Sequence, residues 1–335
     1  MHKRKSFSLA SLAVVLLAFV LVGCAGGAQP GGDAAAGSQS VTEVRVGSLK
    51  GPTSIGLASF MDRAAGGGTA NAYSFTIASS ADEIVPSITS GDLDVALVPA
   101  NVASVLYNKT KGAVSVIDVN TLGVLSVVTG DAGVSGLSDL AGRTVYMTGK
   151  GTTPEFVMQY LLQKSDLADK VTLEFKSAPT EVVAALVADP GAIGVLPQPY
   201  VTAATTKNPS LHVALDLNDA WKATGGDATM VTGVTVVRND FLRDHPSAVA
   251  EFLKEHAESV EAANADPAGI SSKVVAAGIM DNEKVVEKAI PSCHLVCLTG
   301  NEMADALSGY LEALHSVDAS SVGGALPPKG FYYLG

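Results

Sequence analysis

Between residues 43 and 238 the sequence keeps repeating one order: a short run of β-branched and apolar residues, a turn rich in glycine, proline or hydroxyls, then a stretch of helical periodicity. The first unit is "TEVRVGSL", "GPTS" and a helical stretch over 55–64. Strand "YSFTIAS", helix 82–90, strand "DVALVP", helix 101–108 and strand "AVSVIDV" follow. After "TLGVLSVVT" comes a second series: "RTVYMT", helix 154–164, "VTLEF", helix 180–188, "AIGVLP", a helix from Tyr200, and "LHVALD". Continuous apolar runs such as "VALV" suit strands covered on both faces, as in a mostly parallel sheet flanked by helices.

The fold class that this order predicts is α/β with two lobes. The late helices, "PSAVAEFLKEHAESVEAAN" and "EMADALSGYLEALH", have no sheet of their own. Packing them back on the first sheet makes the chain cross twice, near 121–124 and near 232–235. Lobe 1 is then 41–122 plus 235–335, and lobe 2 is 123–234. Two crossings make a hinge around a cleft, and ligands of such sheets collect at the carboxyl ends of strands.

The N-terminus is of another kind. "MHKRK" is a basic start, and the apolar run 7–22 is shorter than the roughly 18 residues that a membrane helix needs, so residues 1–23 read as a secretory signal. Leu21-Val22-Gly23-Cys24 resembles the bacterial lipobox, in which a diacylglycerol is attached to the cysteine sulfur and cleavage follows before it. Residues 24–40 would be the lipidated cysteine and a tether of glycine, alanine, serine and glutamine, whose random-coil reach is about 22 Å. The mature chain is expected outside the cytoplasmic membrane, anchored to it through Cys24. Losing residues 1–23 removes three basic residues and no acids, which takes the net charge from −11 to −14. That argues against a nucleic-acid partner, which needs a basic footprint. It leaves room for an anionic small ligand, because a helix N-terminus supplies a local positive field.

Four strand-to-helix junctions carry polar groups. "MTGKGTTPEF" is no Walker motif, since Lys150 is followed by Gly151, and Pro154 stands where a dinucleotide fingerprint needs its third glycine. It reads as a helix start, capped by Thr152 or Thr153, with Pro154 in the first turn and Glu155 complementing the dipole. "LKGPTSIG" has the same grammar around Thr53 and Ser54. "VPANVAS" adds Asn101, and "LPQPYV" adds Gln198 and Tyr200. Each has a bland reading as a capped turn. Their conjunction, on two lobes, suggests one cleft.

Catalytic patterns are thin: the sequence has no HExxH, GxSxG or CxxC. His245 and His256 fall on a strongly charged helix and read as surface residues. Cys293 and Cys297 in "CHLVC" are either a disulfide, which requires the segment to turn, or two buried thiols. A metal site through Cys293, His294 and Cys297 lacks a second half. No metal and no cofactor are expected.

The lipobox, "RVGSLKGPTSIGL", "GDLDVALVPANVASVLYNKT", "LSDLAGRTVYMTGKGTTPEFVMQYLL" and "AIGVLPQPYVT" together resemble the substrate-binding lipoproteins of ABC importers, in the subgroup that includes nitrate-, sulfonate-, taurine- and thiamine-pyrimidine-binding proteins. The resemblance runs from about Thr42 to the C-terminal "GGALPPKGFYY". It implies a type II periplasmic-binding-protein fold that closes on a small-molecule ligand and docks, as a monomer, on ABC permease subunits. The ligand-binding positions that it implies are Gly51, Pro52, Thr53, Ser54, Asn101, Thr121, Thr148, Gly151, Thr152, Thr153, Gln198 and Gly233. Only Lys150 supplies a cation to these loops, and stacking would rest on Tyr107, Tyr200 or Trp221. The expectation is a receptor that does no chemistry. The competing expectation is an enzyme on the same fold, such as a dehydratase or a cofactor-precursor synthase, which needs a general base. A surface lipoprotein with an unused cleft is a third.

Replacing Cys24 with serine should leave an unprocessed precursor without a thioether-linked diacylglycerol. Mass spectrometry of the membrane fraction reads this, and a mature-length, membrane-retained C24S product would refute the anchor.

Overall fold

The structure is a computed structural model, and it describes residues 41–224 and 228–335. The leader, Cys24 and the tether lie outside the described residues. The first sheet contains β1 (Glu43–Leu49), β2 (Ala72–Ala78), β3 (Val95–Pro99), β4 (Val114–Leu122), β10 (Val231–Arg238) and β11 (Leu295–Leu298), in the order β11-β4-β10-β3-β1-β2. The second contains β5 (Leu125–Thr129), β6 (Thr144–Met147), β7 (Thr172–Phe175), β8 (Ile193–Pro197) and β9 (His212–Asp216), in the order β7-β6-β8-β5-β9.

Both sheets are mixed, and the reason lies in the crossings. A strand that enters a sheet from the other lobe starts at the edge facing that lobe, so it must run against the strands that end there. Thus β10 is antiparallel to both β3 and β4, and β5 is antiparallel to β8 and β9. Within the lobes, β1 with β2 and β3, and β6 with β7 and β8, pair in parallel, and the late edge strand β11 adds to β4 antiparallel.

Local sequence accounts for most elements. In β3 "VALV" is buried throughout, whereas the edge strand β2 alternates. Helix Ala81–Ser90 starts where the Glu83 carboxylate accepts from the Ser80 N–H at 3.0 Å. The single helix expected over 55–64 is two, Pro52–Ile55 and Ala58–Ala65, with Gly56 closing the first.

The late helices cover the first sheet as expected. Helix Pro246–Ala265 brings Val249 and Phe252 onto Val44, Val46, Leu97 and Ile117, and Phe60 meets Tyr73 and Phe252 with ring centroids 4.6 and 5.6 Å away. Helix Gly300–Val317 also reaches the second lobe. Its Tyr310 lies 5.5 Å from Trp221, which stacks on Tyr160 at 4.3 Å, so a single apolar core runs through both lobes.

One expectation is corrected here, and one alternative is decided. His256 is not a surface residue: it is fully buried, because the charged face of its helix turns outward while His256 shares the inner face with Phe252, Ser259 and Val260. Of the two readings left open for Cys293 and Cys297, the structure has the free thiols, the first buried and the second half-buried. Cys293 is packed with Val286, Ala289 and Ile290, and Cys297 sits on the extended β11 beside Asp118 and His256.

Truncating Phe60 to alanine should cost about 3–5 kcal/mol, the usual range for a buried aromatic. Urea unfolding would show it, and a loss below about 1 kcal/mol would mean that the aromatic cluster does not hold helix Ala58–Ala65 to the sheet.

Candidate functional site

The strand ends that face across the lobes are those of β1, β3 and β4 on one side and those of β6 and β8 on the other. At the end of β1, Thr53 and Ser54 turn their hydroxyls back onto the Leu49 carbonyl, at 3.0 and 2.6 Å, and Ser54 also donates to Ser48 at 2.8 Å. Neither hydroxyl caps helix Pro52–Ile55, whose N-cap is Gly51.

After β3, Asn101 is fully buried and reaches the other lobe. Its Nδ2 donates to the Gly151 carbonyl at 3.2 Å and to the Ser321 carbonyl at 3.1 Å. From the second lobe, the Thr153 hydroxyl lies 3.4 Å from both Asn101 Oδ1 and the Thr232 carbonyl. Thr121, opposite Gly233 in the sheet, donates to Asn120 Oδ1 at 3.0 Å. A Cβ at Gly233 would stand 2.5 Å from Asn120 Oδ1 and 2.8 Å from the Thr53 methyl, so the close approach of these groups requires glycine there.

The structure therefore brings together Thr53, Asn101, Thr121, Gly151, Thr153 and Gly233. The rest stand apart from that cluster's hydrogen bonds. Thr152 donates to the Gly149 carbonyl at 2.7 Å, and the Gly151 N–H is taken by Glu155 at 2.5 Å, so the loop closes on itself. Thr148 is buried after β6. Gln198, just ahead of helix Tyr200–Lys207, accepts from the hydroxyl of Thr202 in that helix at 2.9 Å. Lys150 lies 5.9 Å from the centre of the Phe175 ring. Of the aromatics, Trp221 and Tyr107 are engaged with Tyr160 and Phe331, and Tyr200 is buried.

Two groups at this junction gave no signal in the sequence. The Tyr310 hydroxyl faces Thr153, and burial pushes its pKa upward against a weaker opposing influence of Thr153. It has no hydrogen-bond partner, and neither has the buried hydroxyl of Thr232. An unmade hydrogen bond at a buried group costs about 1–3 kcal/mol, a cost that folds tolerate at functional positions.

Beside the crossings lies a cavity of about 790 Å³ with walls from both lobes, among them Leu122 and His294 from the first and Asp216, Asn218 and Trp221 from the second. The Gly123 carbonyl, at the first crossing, accepts from Asn218 Nδ2 at 2.8 Å and faces His294 Nδ1. A carbonyl can only accept, so Nδ1 carries a proton, and in the neutral ring Nε2 is then the nitrogen with the lone pair. A Cβ at Gly123 would fall 1.7 Å from Asn218 Oδ1 and 2.2 Å from the Met230 methyl, so any larger residue would push both side chains aside. The junction cluster of hydroxyls and amides can orient a solute or latch the lobes. His294, Asp216 and Asp219 line the cavity at the crossings.

This architecture recurs in solved structures at low identity. An ABC transporter structure from Parabacteroides distasonis is 22% identical, covers 87% of this chain and 99% of its own, and superposes with a TM-score of 0.72. The alkanesulfonate-binding protein SsuA from Xanthomonas axonopodis pv. citri, bound to MOPS, is 13% identical, with 86% and 95% covered and a TM-score of 0.67. The periplasmic aliphatic sulphonate binding protein SsuA from Escherichia coli is 12% identical, with 86% and 90% covered and a TM-score of 0.68. These likenesses establish a two-lobed fold of the type II periplasmic-binding-protein kind. No curated protein matches the chain.

A family model described as menaquinone biosynthesis matches residues 69–296, a span that takes in β2 to β10 and so all of the second lobe and much of the first, but neither β1 nor the loop after it. The chain belongs to the menaquinone biosynthesis family. That membership overturns the expectation of a receptor without chemistry. The resemblance to importer-binding proteins holds at the level of the fold.

Replacing Thr153 with valine keeps its shape and removes the hydroxyl between the lobes. It should weaken any ligand that stabilises the protein by about tenfold, or about 1.4 kcal/mol, whereas Thr152→Ala should change affinity little. Calorimetric titration tests this, and equal losses in the two variants would show that the lobes do not meet through Thr153.

Proposed function

We propose that the chain is an enzyme of menaquinone biosynthesis that encloses a small polar substrate between its lobes and works on it by proton transfer, dehydration being the reaction class. The family match across both lobes is the observation that carries this reading. The hinge cavity supports it with space for a small molecule and with His294 Nε2 as a base of defined tautomer. In such a step Nε2 takes a proton from carbon, and the carbon–oxygen bond to a neighbouring hydroxyl breaks. The imidazolium then returns the proton to the departing hydroxide, so substrate becomes alkene plus water. The Gly123 carbonyl holds the ring in place during the step. Asn101 and Thr153 keep the lobes together and so exclude water. The leader and Cys24 would set the enzyme on the outer face of the cytoplasmic membrane.

Full-length protein incubated with hydroxylated menaquinone precursors should release one water from one of them, as followed by mass spectrometry. His294→Gln should lower kcat by about 10²–10⁴-fold and leave the dissociation constant within a few-fold. A precursor that binds tightly and is recovered unchanged from the wild-type protein would overturn the enzymatic reading in favour of a binding protein.

A further inference from the structure

Away from the cleft, three side chains with metal-binding atoms converge from distant parts of the chain: Asp118 in the middle of β4, His256 on helix Pro246–Ala265, and Cys297 on β11. A carboxylate oxygen, a ring nitrogen and the sulfur all lie within 4.8 Å of one another. Asp118 and His256 are fully buried, and Cys297 is half-buried on the outermost strand of its sheet. Nδ1 of His256 stands 3.2 Å from Asp118 Oδ2, and Asp118 Oδ1 is held by the Thr235 hydroxyl at 2.8 Å.

The bland account is a buried His–Asp pair with a thiol packed beside it. Two observations exceed it. His256 Nε2 has no partner: the Asp118 carboxylate, which only accepts, keeps the ring proton on Nδ1, and when a cation takes Nδ1 that proton has an unengaged nitrogen, Nε2, to move to. The Cys297 sulfur has no partner nearer than the Leu253 carbonyl at 4.0 Å. A helix and two strands thus deliver nitrogen, oxygen and sulfur donors to one point, with a second polar residue fixing the carboxylate as in protein metal sites.

We propose that Asp118, His256 and Cys297 bind one divalent transition-metal ion of the zinc class through Oδ2, Nδ1 and Sγ. A mixed nitrogen, sulfur and oxygen set favours zinc-like ions over magnesium or calcium. Metal–ligand bonds of about 2.0–2.3 Å put neighbouring donors roughly 3.3–3.8 Å apart. The Asp118–His256 spacing is already close to that, and the sulfur must move inward by about 1 Å or less. Carboxylate and thiolate together neutralise the ion, which makes its burial acceptable. Burial first, and then the Asp118 carboxylate, push the Cys297 thiol upward in pKa, so the sulfur enters as a thiol and its proton leaves to solvent as the cation arrives. The His256 proton moves from Nδ1 to Nε2. The bound ion would tie β4, β11 and helix Pro246–Ala265 into one unit.

The test is titration of metal-free, reduced full-length protein with cobalt(II) in the absence of any organic ligand. Uptake of one equivalent, with a near-ultraviolet sulfur-to-cobalt charge-transfer band that zinc displaces, is expected. Cys297→Ser should abolish the band and weaken uptake by about 10–100-fold, while Cys24→Ser and Cys293→Ser should retain both. Absence of stoichiometric uptake by the wild-type protein, or a band that survives in Cys297→Ser, would overturn the proposal. The readout needs no substrate, so it is independent of the proposed activity.

Discussion

The first lobe depends on one strand that it does not make itself. β10 is inserted between β3 and β4 and pairs with both along most of its length, yet it follows the whole second lobe in sequence. Until the chain has returned, β3 and β4 each lack a partner on one side, with buried backbone donors and acceptors that nothing else can satisfy. The two lobes are therefore coupled from the outset. The same strand carries Gly233 to the junction and Thr235 to the buried interior, so the features of cleft and core share a register.

That register sets up a polar column through an otherwise apolar sheet. Every residue of β4 but its last is buried, and Asp118, Asn120 and Thr121 lie among them. Thr235 donates to Asp118 and accepts from Asn120 at 3.2 Å, and Asn120 accepts in turn from Thr121 at the strand's end. Buried polar groups persist where such bonds satisfy them. The column links His256 and Cys297, deep in lobe 1, to the cleft rim. Either end can sense the other only by way of side chains that have little room to rearrange.

Assignment to binding without chemistry failed for a physical reason. Binding-protein and enzyme variants of this fold share their strands, helix starts and crossings, because those features serve closure of the lobes. Proton-transfer groups announce themselves in sequence only when they sit at fixed short spacing. His294, the base proposed above, reaches the first crossing from a loop some 170 residues later, and its ring is oriented by a backbone carbonyl, which leaves no pattern. The unpartnered hydroxyl of Tyr310 is equally silent, being one aromatic in a helix whose apolar face reads as ordinary core.

The sequence by itself determined the alternation of strands and helices, the return of the late helices to the first sheet, and the polar character of the strand ends. These follow from local periodicity, turn chemistry and the need to bury apolar faces, all of which are written within a few residues. Only the tertiary structure decided which of the polar groups meet. It joined Asn101 to Gly151 and Thr153, turned Thr53 and Ser54 back on their own strand, and let Thr152 close its own loop. It also buried His256 against Asp118 and left both cysteines reduced. Those between the lobes and within the sheet join segments some 50 to 138 residues apart, and they depend on the angle at which a helix crosses a sheet and on the missing side chain at Gly123 and Gly233, where neighbouring side chains close in.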